Sequence, residues 1–256
     1  ALRPEATLMS TATTYGIHSV RVMLTRSPQR IRRLLLASAR EDARLAEIRA
    51  LAQRAGVQVA PADVATLDKL ADGGRHQGVV AELQAQAGDP ETQLEQALEA
   101  AGASPLLLVL DGVQDPGNLG SLLRTAAAAG IRHALLGEGC AQAWSPRALR
   151  AGMGAQFALC IEEACPLLAR LEDYPGRCVA TALREDARPL YELDLRGPVA
   201  WLFGAEGQGL SPALLARADH CVTIPMAAGI ESLNVAAAAA VCLFEQARQL
   251  RTMASV

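Results

Sequence analysis

Three polar groups in the sequence have the residue types and positions that chemistry on a ligand requires. Each lies beyond an apolar run with the pattern of a buried strand; they are Asn118 with Arg124, Glu206, and Ser232 with Asn234. Amides and hydroxyls can position a ligand by hydrogen bonds, and a guanidinium can bind phosphate or developing negative charge. Because a parallel sheet gathers the carboxyl ends of its strands on one side, the three groups can meet in a single crevice.

Taken separately, each group also has a plain structural interpretation. Asn118 and Arg124 fit the solvated face of a helix, and Ser232 fits an N-cap with Asn234 exposed in the first turn. Glu206 lies in GAEGQG, which fits a surface turn. Because this loop lacks the glycine spacing of a dinucleotide fingerprint and the chain has no Walker A motif, its glycines predict only a backbone against which a ligand can lie.

The stretch from Leu106 to Gly130 positions the first group. Its apolar first half predicts a buried strand, and its second half predicts a helix with Asn118 as N-cap and Gly130 as the left-handed C′ residue. The turn DPGN between them leaves Asn118 at the carboxyl end of the strand, where open α/β sheets place their ligands.

The rest of the chain alternates strand and helix patterns, which predicts a largely parallel sheet. Residues 12–86 predict a small α/β domain, residues 87–103 a linker with a short helix from Thr92 to Ala101, and residues 104–256 a second domain. In the second domain, strands are expected at 133–136, 160–161, 177–183, 199–203 and 221–226, and an Ala-rich last helix at 232–251.

Charge is divided unevenly along the chain. The net charge is −3, but residues 1–86 carry 12 Lys and Arg against 8 Asp and Glu, whereas residues 87–256 carry 12 against 19. Attraction to nucleic-acid phosphate is therefore expected in the N-terminal part. The basic residues that crowd together there are Arg21, Arg26, Arg30, Arg32 and Arg33.

The composition argues against several classes of protein. No apolar stretch approaches the ~20 residues of a membrane helix. Residues 1–16 show neither the apolar core nor the cleavage motif of a secretion signal, so a cytoplasmic protein without a membrane partner is expected. The six cysteines form no C-x-x-C pair, so they are interpreted as reduced core residues rather than a disulfide framework or a metal site.

Together, three stretches resemble the motifs of the SpoU/TrmH family of ribose 2′-O-methyltransferases. They are LDGVQDPGNLGSLLRTAAAAG, FGAEGQGLSPALLARADHCVTIPM and ESLNVAAAAA, in the family's order and spacing. The segments YGIHSVRVML and RHQGVVAEL make the front half similar to that of members that methylate guanosine in bacterial 23S rRNA. Gly152 and Ala236 stand where many relatives have serine, and both are small-for-small changes away from the polar groups.

The resemblance implies a fold, ligands and partners. It implies a trefoil-knotted, parallel-sheet α/β methyltransferase domain of the SPOUT type, preceded by a small α/β RNA-binding domain that resembles a ribosomal protein. S-adenosylmethionine is the implied methyl donor, with no metal; 23S rRNA is the implied substrate, and a homodimer through the C-terminal domain is implied. The residues implied to hold the cofactor are Gly204, Ile224, Met226, Leu233 and Thr181.

The implied reaction is methyl transfer to a ribose 2′-hydroxyl, which needs the oxygen held in line with an electron-poor methyl group. A guanidinium with a pKa above ~12 is a poor base, so Arg124 is interpreted as a clamp on phosphate or developing alkoxide. Glu206 would orient Arg124 or the RNA. The implied positioning residues for ribose and Arg124 are Asn118, Ser232 and Asn234.

The sequence leaves three alternatives open. The same chemistry can act on tRNA or on another rRNA site, although the minimal tRNA enzymes lack the front module. A non-catalytic RNA-binding protein of ribosome assembly can keep the fold, although the intact polar groups argue against it. A nicotinamide-dependent oxidoreductase would need a glycine fingerprint that the chain lacks.

Overall fold

The computed structural model describes residues 13–38, 42–71, 73–84, 106–229 and 232–253. The chain forms two compact units, residues 1–87 and 88–256. The predicted linker, with its helix from Thr92 to Ala101, lies outside the described residues. Within those residues, no helix is long and apolar enough to cross a membrane.

In its described residues, the first unit forms a four-stranded mixed sheet with three α-helices. The strands are β1 (Thr13–Tyr15), β2 (Ile31–Ala37), β3 (Val59–Ala62) and β4 (Val79–Leu83); the helices are α1 (Ile17–Arg26), α2 (Ala43–Arg54) and α3 (Val64–Leu70). The sheet order is β1–β4–β2–β3, and only the β2–β3 pair is parallel. These strands and helices agree with the α/β pattern of this part of the sequence.

The segments YGIHSV and RHQG meet at the start of α1. Gly16 precedes the helix at φ +88 and has no side chain to cap it, so the N–H of Ile17 donates to Gln77 Oε1 at 3.1 Å. Gln77 itself lies in the left-handed region at φ +55, and the next turn is closed by the N–H of Gly78, which donates to His76 Nδ1 at 3.0 Å. The two segments therefore fix the beginning of α1.

The second unit is a seven-stranded sheet in which every described pair of strands is parallel, as the alternating pattern predicted. Its strands are β5 (Leu107–Asp111), β6 (His133–Leu136), β7 (Cys160–Glu162), β8 (Arg177–Thr181), β9 (Arg188–Pro189), β10 (Val199–Gly204) and β11 (His220–Thr223). The order is β7–β6–β5–β10–β8–β11–β9. The two-residue edge strand β9 was not predicted.

Five α-helices accompany this sheet within the described part of the unit, and two of them approach unusually closely. They are α4 (Pro116–Ala129), α5 (Pro146–Gly152), α6 (Leu167–Glu172), α7 (Pro212–Arg217) and α8 (Val235–Met253). A Cβ at Gly120 of α4 would lie 2.3 Å from the Ala148 carbonyl oxygen of α5. This packing therefore requires glycine.

The predicted N-cap of α4 was wrong. Asp115, not Asn118, caps the helix, because its Oδ1 accepts the N–H of Asn118 at 2.8 Å. Asp is as good an N-cap as Asn, and Pro116 at the first helical position favours a helix that starts there. The side chain of Asn118 is therefore not consumed in capping. Gly130 ends the helix at φ +100, as predicted.

The predicted N-cap of the last helix was also wrong. The helix starts at Val235 rather than Ser232, and Asn234 Oδ1 accepts the N–H groups of Ala236 at 3.0 Å and Ala237 at 3.3 Å. Ser and Asn cap equally well, so the sequence does not choose between them.

A buried polar connection links α8 to the core of the second unit. Trp201 and Phe203 of β10 are fully buried, although the sequence is poor in aromatic residues. Trp201 Nε1 donates to Gln246 Oε1 at 2.7 Å, and Gln246 Nε2 donates to the carbonyl of Leu195 at 3.2 Å. Because both ends of the buried amide are satisfied, it ties α8 to the centre of the sheet at little cost.

The six cysteines are free thiols, three of them buried and three half-buried. Burial raises the pKa of Cys165 and of Cys242 to about 12. Both thiols are therefore protonated at neutral pH, as expected of core residues.

Candidate active site

The carboxyl edge of the second sheet brings four chain segments side by side. β5 ends at Asp111, β10 at Gly204, β8 at Thr181 and β11 at Thr223, and these strands are neighbours in that order. The start of α4, the glycine loop at 204–209 and the segment after β11 therefore all leave from one edge, where parallel sheets bind ligands.

Three side chains from separate motifs are hydrogen-bonded to each other at this edge. Asn118, in the first turn of α4, donates through Nδ2 to Glu206 Oε1 in the glycine loop. Asn234, the N-cap of α8, donates through Nδ2 to Asn118 Oδ1 at 3.0 Å. These partners are 88 and 116 residues apart in sequence. We refer to Asn234, Asn118 and Glu206 as the amide relay.

Arg124 and Ser232 are not part of the relay. Arg124 is on α4 six residues beyond Asn118, about 9 Å along the helix axis, and is exposed with no ion-pair partner among the described residues. Ser232 is exposed two residues before Asn234. Both side chains are therefore accessible to a ligand.

The glycine loop is tight and holds Glu206 near its tip. Ala205 and Gly209 exchange two backbone hydrogen bonds of 3.1 and 2.9 Å, with Gly207 at φ +86 and Gly209 at φ +70. A Cβ on Gly204 would lie 2.1 Å from the carbonyl carbon of Gly209. The loop geometry therefore requires glycine at 204.

A second backbone contact anchors the far end of this loop. The N–H of Ser211, just before α7, donates to Asp111 Oδ2 at 2.8 Å. The carboxylate at the end of β5 thus fixes the segment that follows the glycine loop on β10.

An ion pair beside the relay was not predicted from the sequence. Asp115 uses Oδ1 to cap α4 and Oδ2 to accept from Arg147 Nη2 of α5 at 2.7 Å. The signal was present in the Asp-Pro dipeptide, which marks an N-cap followed by the first helical residue, but the capping role was given to Asn118.

The residues implied to hold the cofactor border the same edge. Thr181 and Gly204 end neighbouring strands, and Ile224 and Met226 follow the next one. The strand predicted to reach Met226 stops at Thr223, so both apolar residues lie in the segment beyond the sheet. Leu233 is 41% exposed. Strand-end backbone groups beside accessible apolar side chains fit an adenosine-type ligand.

In the first unit, two of the five clustered arginines share a buried carboxylate. Glu82 is only 6% exposed and accepts from Arg32 Nη2 at 2.9 Å and from Arg33 Nε and Nη2 at 3.1 and 2.9 Å. A shift of register between Ile31 and Arg33 lets both consecutive arginines reach it. About half of each arginine side chain stays exposed, so both can still contact RNA, and that contact stays a prediction. Glu82 reduces the net positive charge of the arginine cluster.

The Glu82 cluster predicts an acid-sensitive contribution to stability. Burial raises the pKa of Glu82, but the hydrogen bonds and charges of Arg33 and Arg32 together outweigh it, so the pKa lies below its ordinary value. A depressed folded-state pKa contributes stability that is complete above the unfolded value of about 4.3 and is lost as the pH falls through the folded value. We expect Glu82→Gln to destabilise the first unit by about 1–2 kcal/mol at pH 7 and to flatten its loss of stability below about pH 5.

Both tryptophans, Trp144 and Trp201, lie in the second unit, so the measurement must follow β2 and β4 directly. Pulse-labelled hydrogen exchange of peptides from these strands, after equilibration of the full chain in urea at each pH, reports their unfolding. Glu47→Gln is the matched control, because Glu47 is half-exposed and 3.8 Å from Arg21. Equal acid sensitivity in the Glu82→Gln variant and the wild type would contradict the prediction.

Comparison with known proteins gives a consistent result for both units. Residues 105–244 match the SpoU rRNA Methylase family, and residues 14–87 match the family described as RNA 2'-O ribose methyltransferase substrate binding. The 23S rRNA (guanosine-2'-O-)-methyltransferase RlmB of Pseudomonas aeruginosa is 38% identical over 238 residues, covering 92% of this chain and 95% of that relative. The RlmB protein of Haemophilus influenzae is 39% identical over 239 residues, 92% of this chain and 96% of its own.

Solved structures share this organisation. An AdoMet-bound rRNA methyltransferase from Sinorhizobium meliloti superposes with a TM-score of 0.70 at 26% identity, covering 93% of this chain and 87% of its own. The SpoU methyltransferase AviRb from Streptomyces viridochromogenes, in complex with AdoMet, has a TM-score of 0.69 at 25% identity, covering 94% and 90%.

The family matches of both units and the solved neighbours identify the second unit as a methyltransferase domain of the SPOUT type and the first as its substrate-binding module. The chain belongs to the SpoU rRNA methylase family, as the resemblance of its motifs indicated. The trefoil knot that the resemblance implies stays a prediction.

Proposed function

We propose that this protein transfers a methyl group from S-adenosylmethionine to the ribose 2′-hydroxyl of a guanosine in 23S rRNA. The observation that carries the proposal is the amide relay, in which side chains from all three motifs are hydrogen-bonded at one sheet edge. The likeness to 23S rRNA (guanosine-2'-O-)-methyltransferases along 92% of the chain supports the choice of substrate.

When bound, S-adenosylmethionine supplies an electron-poor methyl group attached to a positively charged sulfur. The residues that would hold it are Gly204, Thr181, Ile224, Met226 and Leu233, which lie at or just beyond neighbouring strand ends. The tight glycine loop brings main-chain N–H and C=O groups close to the ligand, and the exposed leucine offers an apolar contact.

The remaining polar residues act on the RNA. Arg124 is exposed, unpaired among the described residues and permanently charged, so it clamps a phosphate or the 2′-oxygen as negative charge develops there. Ser232, which does not cap α8, is available to bind the ribose. Catalysis then consists mainly of holding the attacking oxygen in line with the methyl carbon.

The first unit favours rRNA over tRNA as the substrate. The TrmH/SpoU tRNA modifying enzyme of A. aeolicus covers only 64% of this chain, with a TM-score of 0.52. The matched substrate-binding family occupies residues 14–87. A match of 64% of the chain is too short to include these residues as well as the whole second unit. A cytoplasmic location, where rRNA is accessible, belongs to the same proposal.

The test is methylation in vitro by the full chain with S-adenosylmethionine labelled in the methyl group. Deproteinised 23S rRNA, 16S rRNA and tRNA are compared as substrates, and 2′-O-methylated positions are mapped by their resistance to alkaline hydrolysis. We expect one protected guanosine in 23S rRNA. Label in tRNA alone would refute the choice of substrate, and no label in any RNA would refute the activity.

We also propose that two copies associate through α8. Ala237, Phe244, Arg248 and Arg251 are exposed at helical spacing along one stripe of this helix. Phe244 is 45% exposed, and an aromatic side chain on an otherwise well-packed helix is typical of an interface centre. The opposite face of the helix is buried against its own unit.

Light scattering coupled to gel filtration tests the association. We expect the wild type to have about twice the chain mass of 26.9 kDa and Phe244→Glu to elute as a monomer, because a charge placed where the aromatic side chain is buried disrupts the interface. Leu168→Glu is the control, since Leu168 on α6 is similarly exposed, at 46%. A dimeric Phe244→Glu variant would place the interface elsewhere.

A further inference from the structure

The hydrogen bonds of the amide relay run in a single direction. The N–H groups of Ala236 and Ala237 can only donate, so the side-chain oxygen of Asn234 must face the start of α8. Its NH₂ group then faces Asn118, whose oxygen must accept, and the NH₂ group of Asn118 is left to face Glu206. The helix end therefore fixes the orientation of both amides.

The relay consequently ends on a carboxylate that acts as an acceptor. Oε1 of Glu206 receives the Asn118 NH₂ group, and no described residue donates to Oε2. A chain of donors directed at one oxygen fixes the position of the carboxylate. The free oxygen is thus presented at the ligand-binding edge of the sheet.

We propose that Glu206 Oε2 accepts the proton of the ribose 2′-hydroxyl, and that Asn118 and Asn234 are positioning residues for this base. The inference rests on the proposed function. Each asparagine uses its NH₂ group and its oxygen within the relay or the α8 cap, so their main task is to hold Glu206 rather than to bind the ribose.

The proton transfer balances the methyl transfer. The bond from the 2′-oxygen to the methyl carbon forms while the carbon–sulfur bond breaks, and the electron pair of that bond stays on sulfur as a neutral thioether. The 2′-hydroxyl proton passes to Glu206 Oε2 and from there to solvent. A hydroxyl that is acquiring a methyl group becomes much more acidic than a free alcohol, so a carboxylate is a sufficient base.

The other polar residues at this edge are unsuited to the role. Arg124 carries only hydrogen-bond donors and has no acceptor atom. Asp115 uses both oxygens, one for the N–H of Asn118 and the other for Arg147. Ser232 and the two asparagines are neutral groups that do not take up a proton near neutral pH.

Single-turnover methyl transfer by the full chain to 23S rRNA tests the role of Glu206. We expect Glu206→Gln to lower the rate constant by about 10²–10⁴-fold, the usual contribution of a general base. Calorimetric Kd values for S-adenosylmethionine and for the RNA should change by less than about threefold. Glu172→Gln, on an exposed glutamate at the end of α6 and before the amino end of β8, should leave the rate unchanged.

Chemical rescue separates a base from a structural group. In Glu206→Ala, added formate should raise the rate constant at least about tenfold because it supplies a small carboxylate. The rate constant of Asn118→Ala should not respond to formate. In the free protein, the side-chain amide NMR signals of Asn118 should shift in Glu206→Gln, which reports the relay without any turnover.

Asn234→Asp separates positioning from capping. Aspartate still accepts the N–H groups of Ala236 and Ala237 but cannot donate to Asn118. We expect kcat to fall about tenfold while thermal stability and KM for S-adenosylmethionine stay near the wild-type values. An unchanged kcat would remove the asparagines from the mechanism.

Two results would overturn the assignment of Glu206. One is a rate constant of Glu206→Gln within about threefold of the wild-type value. The other is a loss of rate that is fully explained by weaker binding of RNA or cofactor and that formate does not relieve in Glu206→Ala. Either result leaves the proposed function standing as long as the wild type methylates rRNA. A wild type that methylates no RNA refutes the proposed function instead.

Discussion

Replacement of Arg124 by alanine is expected to abolish methylation while leaving S-adenosylmethionine bound. Arg124 is exposed on α4, about 9 Å along the axis from Asn118, and has no protein partner among the described residues that its loss would leave unpaired. Its charge is therefore available for phosphate or for the 2′-oxygen. Removing one preorganised donor from a developing oxyanion lowers kcat by about 10²–10³-fold, and the lost phosphate contact weakens RNA binding in addition.

The measurement pairs single-turnover methylation with calorimetric titration of S-adenosylmethionine into the free protein. Arg124→Lys should recover only part of the activity, because an ammonium keeps the charge but lacks the planar fork of donors. Arg132→Ala is the matched control, since Arg132 bonds the carbonyls of Ala127 and Ile131 just beyond the other end of α4. Loss of cofactor affinity in Arg124→Ala with intact RNA binding would reverse the assigned role.

The alternation of strand and helix patterns was sufficient to predict the parallel sheet and most of its elements. Five strands of the second unit besides β5 were expected, and each is present in the parallel sheet. The segments predicted at 177–183 and 221–226 end early, at Thr181 and Thr223. The edge strand β9 was not predicted, because two residues are too few to show a periodic pattern. A strand's existence depends on a local pattern, whereas its end depends on its neighbours.

Helix starts were less predictable, because several good caps lie close together. Asp115 and Asn118 are equally competent N-caps three residues apart, and so are Ser232 and Asn234 at two residues. Tertiary contacts decide between them: Arg147 holds Asp115, and Asn118 holds Asn234. Asp115 therefore takes the capping role predicted for Asn118, and Asn234 takes the one predicted for Ser232.

The hydrogen bonds of the site could not be predicted from spacing. Polar residues after strand ends indicated that the motifs share an edge, but the links from Asn118 to Glu206 and Asn234 cross 88 and 116 residues. The Gln77 contact at the start of α1 likewise crosses 60 residues. Such contacts depend on how helices and loops are placed on the sheet, which local patterns do not encode.

Replacement of Gly204 by alanine is expected to have the largest effect on cofactor binding. The added Cβ would lie 2.1 Å from the carbonyl carbon and 2.2 Å from the carbonyl oxygen of Gly209. Both atoms belong to the backbone, so the clash cannot be relieved by a side-chain rotation, and the glycine loop must open. Overpacking of this kind costs about 1–3 kcal/mol. If the cost falls on the ligand-binding form of the loop, S-adenosylmethionine affinity drops about 10–100-fold.

Gly207→Asn provides the control for this loop. Gly207 has φ +86 and nothing within 4 Å of an added Cβ, and asparagine tolerates the left-handed region, so this variant tests loop composition without the clash. Calorimetric titration should find near-wild-type affinity for Gly207→Asn and a strong loss for Gly204→Ala, with both proteins keeping the circular dichroism of the wild type. The alanine side chain cannot coexist with the close backbone contact between residues 204 and 209. A Gly204→Ala variant with wild-type affinity for S-adenosylmethionine would therefore show that cofactor binding does not depend on the closed loop.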